Sequence, residues 1–138
     1  MKKINLVIPI VVVIVLAIFY LLINLDEESK NTSIDNNFES ITSEGEVVID
    51  LKPLGVRDSK YSFEINVNTH TVSLEQYDLM KLITLEFDSN KLNPSSAPKL
   101  NGHHNSGILA FDINKDIKVF KVVIKDIPDI KGRVFEWK

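Results

Sequence analysis

The chain has 138 residues, 44% of them hydrophobic, no cysteine and a formal net charge of −3. The lack of cysteine excludes disulfides and thiolate metal sites, and the length leaves room for one small domain once a membrane span is set aside. The charge is uneven: Asp26, Glu27, Glu28, Asp35, Glu39 and Glu44 face only Lys30 between residues 26 and 45, whereas acidic and basic residues balance from Glu46 onward. A neutral domain without a basic stripe argues against nucleic acid as a partner.

From Leu6 to Ile23 the sequence is almost wholly apolar, interrupted by type only at Pro9. A helix needs about 20 such residues to cross a bilayer, and this run lacks the polar face that a core helix shows. Lys2 and Lys3 precede it and Asp26, Glu27 and Glu28 follow it, which by the positive-inside rule puts the N-terminus in the cytoplasm. A cleaved signal peptide would have a shorter apolar core ending at a small-x-small site, and Tyr20-Leu21-Leu22-Ile23-Asn24-Leu25 offers none. The span holds no charge that would suggest transport. The sequence therefore predicts a cytoplasmic stub (1–3), a single-pass signal anchor in the cell membrane (4–25), an acidic flexible linker (26–45) and an extracytoplasmic domain (46–138). The linker is too polar to offset its ordering entropy and carries a sequon at Asn31-Thr32-Ser33.

In the domain, Val47, Ile49 and Leu51 alternate with polar neighbours as a strand ending at Pro53, followed by a turn over 53–60. Tyr61, Phe63, Ile65 and Val67 then mark a half-buried antiparallel strand. Val72 and Leu74 continue the apolar pattern at even numbers, so a bulge, bend or change of sheet is required around Thr69-His70-Thr71. A short helical turn is expected near Tyr77-Asp78-Leu79, then a strand through Ile83, Leu85 and Phe87 closed by Asp88-Ser89-Asn90. Residues 91–106 read as a long loop rich in Asn, Pro, Ser and Gly. Strands follow over Ile108–Ile113, Lys118–Ile127 and Arg133–Trp137, with Trp137 expected in core or edge packing rather than as a sugar platform. About seven short strands with no core-length helix predict an all-β antiparallel sandwich of immunoglobulin-like shape.

His70, His103 and His104 are the three histidines, one at the parity break and two in the long loop. Neutral imidazole suits zinc, copper and nickel, so His70, His103 and His104 with Asp78 are a candidate metal site, with copper or zinc as the ion. Glu75 and Asp112 are further carboxylate partners. Adjacent residues of an extended chain point to opposite sides, so the His103-His104 pair shares one ion only if the loop bends between them. The competing expectation is a brace, in which His70 and one of the pair hold the loop base shut. Three imidazoles and a bound water would instead serve a metal-dependent enzyme. A third reading is a purely structural interaction module of a membrane complex. The serines lie outside any G-x-S-x-G setting, and there is no phosphate-binding glycine loop.

Thr69-His70-Thr71-Val72-Ser73-Leu74, Tyr77-Asp78-Leu79, Gly102-His103-His104, Gly107-Ile108-Leu109-Ala110-Phe111 and Arg133-Val134-Phe135-Glu136-Trp137 together resemble an uncharacterised family of small prokaryotic exported or membrane-anchored domains. That family shows T-H-S-V-D-L, G-G-H-H-R and a closing R-x-F-x-W, and the likeness covers about Tyr61 to Trp137. The resemblance implies an exported location and a shared histidine region, and it adds placement rather than function. Ser73 stands where the family has Asp, Asn101 where it has Gly, and Asn105 where it has Arg, so a role resting on that aspartate or arginine is missing here. The expectation is thus a membrane-anchored extracytoplasmic binding or interaction domain, partnered by the membrane through residues 4–25 and by a protein outside it.

Overall fold

The computed structural model describes residues 38–128 and 130–138, with Leu16 and Tyr20. Among these no helix is long and apolar enough to cross a membrane. The expected stub, the span over 4–25 apart from Leu16 and Tyr20, and the linker up to residue 37 lie outside the described residues.

Within the compact unit Ser33–Lys138 the strands are β1 (Ile41–Ser43), β2 (Val47–Arg57), β3 (Lys60–Thr69), β4 (Ile83–Phe87), β5 (Asn90–Leu92), β6 (His104–Phe111), β7 (Phe120–Ile127) and β8 (Ile130–Trp137). A one-turn helix, α1 (Leu79–Leu82), precedes β4. The strands form two antiparallel four-stranded sheets, ordered β1-β2-β3-β6 and β5-β4-β7-β8. The expected all-β, two-sheet architecture is present.

Period-2 patterning drives this arrangement. Val47, Ile49, Leu51, Tyr61, Phe63, Ile65, Val67, Leu109 and Phe111 turn inward from one sheet. Ile83, Leu85, Phe87, Phe120, Val122, Ile124, Phe135 and Trp137 meet them from the other. Phe63 sits at the centre, with Phe111, Phe120 and Trp137 ring centres 5.8, 5.9 and 5.8 Å away. Each such side chain stabilises the fold by about 1.5–3 kcal/mol through burial. The Tyr61 hydroxyl lies in the same core without a hydrogen-bond partner. Burial pushes its pKa up, and the charge of Asp116 adds to the effect.

Two hairpins close through two-residue turns. Asp58 and Ser59 (φ 49° and 61°) join β2 to β3, and Asp88 and Ser89 (φ 45° and 64°) join β4 to β5. Positive φ at both turn positions matches the right-handed twist of the flanking strands.

Several boundaries differ from the sequence reading, each for a local reason. The first long strand does not end at Pro53. It runs on to Arg57 through a register shift between Pro53 and Gly55, where Gly55 at φ 75° supplies the bulge geometry. The parity break after Thr69 is a change of sheet, since the chain leaves β3 and reaches β4 through α1. The 91–106 stretch is not a free loop. It holds β5, a bridge between Ser96 and Ala110, and the start of β6 at His104.

The packed fold also begins ahead of Glu46, inside the stretch expected as linker. β1 pairs with β2, Phe38 packs edge-on against Phe120 at 5.2 Å, and Trp137 Nε1 donates to the Glu39 carbonyl at 2.9 Å. Arg133, buried on β8, donates through Nη1 to the Ser43 carbonyl, the Ser43 hydroxyl and the Glu44 carbonyl. Its Nη2 donates to the Pro128 carbonyl. The closing R-x-F-x-W pattern is therefore a clamp: Phe135 fills the core, while Arg133 and Trp137 tie the N-terminal segment to the last strand. The acidic composition of residues 39–44 concealed this, because the bonds use backbone carbonyls and the Ser43 hydroxyl and not the acidic side chains.

Candidate functional site

The end of β3 and the start of β6 lie side by side, with Asn68 opposite His104. One step further, the Thr69 amide donates to the His103 carbonyl at 2.9 Å. Thr69 is buried and its hydroxyl is fully used. It donates to the Glu46 carbonyl at 2.9 Å and accepts from the amides of Thr71 and Val72 at 3.3 Å each. A hydroxyl bonding to backbone two and three residues on is a local turn former. It swings the chain out of the sheet and holds His70 in the turn. Thr71 reinforces this by donating to the Glu46 carboxylate.

His104 occupies the outward face of β6, as do Ser106 and Ile108. Its Nδ1 is 3.1 Å from Asn68 Oδ1. The rings of His70 and His104 lie with centres 5.4 Å apart and planes at 76°. Both side chains are exposed. The structure thus brings together His70 and His104.

It does not bring His103 or Asp78 to them. His103 is exposed, and its charge acts instead on Glu75. Asp78 is the N-cap of α1, accepting from the Met80 amide at 3.1 Å and pairing with Lys81 at 3.2 Å. Asp112 pairs with Lys60 at 3.4 Å. Among the described residues, no three of His, Asp and Glu form a group suited to a metal ion. The four-residue site expected from the sequence is therefore not assembled as a unit. The physical reason is the alternation across residues 103 and 104: once β6 begins at His104, neighbouring side chains diverge.

A second set of bonds holds the flanking loops. The Glu75 carboxylate accepts from the Ser73 hydroxyl and from the Gly102 amide at 3.1 Å. The Ser73 bond, backbone N–H groups of Glu75 and Gly102, and the nearby His103 lower its pKa to about 2. Asn105 Oδ1 accepts from the Asn101 amide at 2.6 Å. This bond closes the 101–105 turn. Gly107 faces Pro98, where an added Cβ would come within 2.7 Å of the proline Cβ. The Pro98 segment is thus seated directly on β6. Beside it an open cleft of about 430 Å³ is lined by Glu75, Tyr77, Asp78, Met80, Pro98 and Lys99, among others.

No family model, curated protein or solved structure matches this chain. Sequence reasoning missed Asn68 and the Thr69 and Glu75 bonds. Asn68 was legible as an outward position of β3, but its pairing with His104 needed the register of β6, whose start lay hidden in the supposed loop.

Proposed function

We propose that this chain is a membrane-anchored, extracytoplasmic binding domain whose contact surface is the histidine end of an immunoglobulin-like sandwich. The observation that carries the reading is the exposed His70–His104 pair, 5.4 Å between ring centres, where two strand ends and two loops are tied together by side-chain bonds. A surface that is open yet held in one geometry binds at low ordering cost. The strand order supports the immunoglobulin-like assignment: β3 beside β6 in one sheet, and β4 beside β7 and β8 in the other, occupy the places of strands B, E, C, F and G. The run at residues 4–25, with Lys2 and Lys3 before it and acids after it, supports the anchor and its orientation.

The test has two parts. In intact cells, protease added outside should digest the domain while leaving the membrane fraction with a short anchored fragment. A photo-crosslinking residue at Ser106, beside His104 on the outer face, should form a discrete adduct that the same residue at Lys91 on β5 does not. Protection from external protease, or equal labelling from both positions, would overturn the reading.

A further inference from the structure

We propose that His70 and His104 are the two protein ligands of an open transition-metal site, with Asn68 as its positioning residue and, by the affinity order of imidazole sites, Cu²⁺ as the ion held most tightly. This deepens the binding reading above by naming the ligand class of the same surface.

Four observations converge. The first is distance. An ion about 2.0–2.1 Å from one nitrogen of each imidazole lies about 3.2 Å from each ring centre, so near-tetrahedral coordination holds the centres about 5.3 Å apart; they stand 5.4 Å apart here. The second is the bond at 3.1 Å between His104 Nδ1 and Asn68 Oδ1. An amide oxygen only accepts, so Nδ1 carries the proton and the Nε2 lone pair is left for an ion. Metal-ligating histidines are oriented in this way by a carbonyl or carboxylate behind the ring.

The third is backbone fixation. His104 is held through its register with Asn68, and the turn carrying His70 is fixed by the Thr69 hydroxyl and by the Thr69–His103 bond. The two rings thus hang from one hydrogen-bonded frame. The fourth is donor chemistry. The chain has no cysteine, and imidazole donors select zinc, copper and nickel, with Cu²⁺ at the top of the affinity order.

Two ligands leave at least two coordination positions for water or for a donor on a partner. The site is thus suited to receive or share an ion rather than to enclose one. His103 and Asp78 lie outside it.

The experiment uses the full chain purified in mild detergent, titrated separately with copper(II), zinc and nickel salts. Copper at about a hundredfold excess over its dissociation constant should raise the melting temperature by on the order of 10 °C. Zinc and nickel should give smaller shifts at equal concentration. The copper(II) paramagnetic resonance spectrum should show coupling to two imidazole nitrogens. His70→Ala and His104→Ala should each abolish the shift and the coupling, while His103→Ala should leave both intact. Asn68→Ala should weaken binding about 10–100-fold without changing the metal-free melting temperature.

Several results would overturn the proposal: no shift with any of the three ions, binding that survives His70→Ala, or equal loss on His103→Ala. The two readings fail separately. A chain that crosslinks through Ser106 and binds no metal loses only the metal site. A chain that binds copper but is shielded from external protease loses only the exported location.

Discussion

Two groups of residues in this molecule stand out in the sequence for the same reason, unusual polar or aromatic types in a fixed short pattern, yet the fold treats them in opposite ways. Arg133 and Trp137 are buried, and their donors are directed at backbone carbonyls of the N-terminal segment. His70 and His104 are exposed, and among the described residues one of their ring nitrogens, Nδ1 of His104, meets a protein acceptor. The first group spends its polar atoms on the chain itself. The second keeps ring nitrogens available to something else. A conspicuous residue is a binding candidate only once its own hydrogen bonds have been accounted for, and that separates a clamp from a site.

This contrast makes predictions of graded size. Trp137→Ala removes a large ring stacked at 5.2 Å on Phe120 and should cost about 3–5 kcal/mol. Arg133→Ala strands the Ser43, Glu44 and Pro128 carbonyls and should cost about 2–4 kcal/mol. Both are measured by thermal or urea unfolding, and a loss below about 1 kcal/mol for either would break the clamp. Thr69→Val keeps the shape but deletes three hydrogen bonds, and should cost about 1–3 kcal/mol; its additional signature is a loosened His70, read as a weaker metal response. Gly107→Ala must displace Pro98 and should cost about 1–3 kcal/mol, with the change centred on the 96–100 segment in amide-exchange maps.

Glu75 supplies the pH test. Its folded pKa lies near 2, below the ordinary glutamate value of about 4.5. A depressed carboxyl contributes stability that is fully present above about pH 4.5 and lost as the pH falls through about 2. Protection of the Gly102 amide against exchange should fall over that window in the native chain. In Glu75→Gln it should already be reduced at pH 5 and stay flat. The smallest stability effects belong to the histidines. His70→Ala and His104→Ala should stay within about 0.5 kcal/mol of the parent without metal, and a larger loss would recast the pair as a brace.

The sheets were legible because alternation is a strong signal wherever one face is buried. Tyr61 through Val67 announced β3, and the change of parity at Thr69 announced that the chain leaves its sheet. What stayed hidden depended on partners distant in sequence. β1 has three residues and little pattern of its own, and it is a strand because β2 and Arg133 hold it. β6 begins four residues before its apolar half, since His104 and Ser106 face solvent and carry no hydrophobic mark. The histidine pair was legible as residue types but not as a pair: choosing His104 over His103 required knowing which one the register turns toward Asn68. The carboxylates expected to assist were legible only as charges. Asp78 caps a helix, and Glu75 staples two loops.

The clamp also has a mechanical consequence. A pull applied to the chain at Phe38 does not peel the domain from a loose end. Leaving the fold from that side means breaking β1 from β2, withdrawing Phe38 from Phe120, and releasing Trp137 and Arg133 from residues 39–44. Because these contacts join the first strand to the last, the load is shared across both sheets at once. The domain should therefore yield as a whole under tension, rather than unravel strand by strand from its N-terminal side.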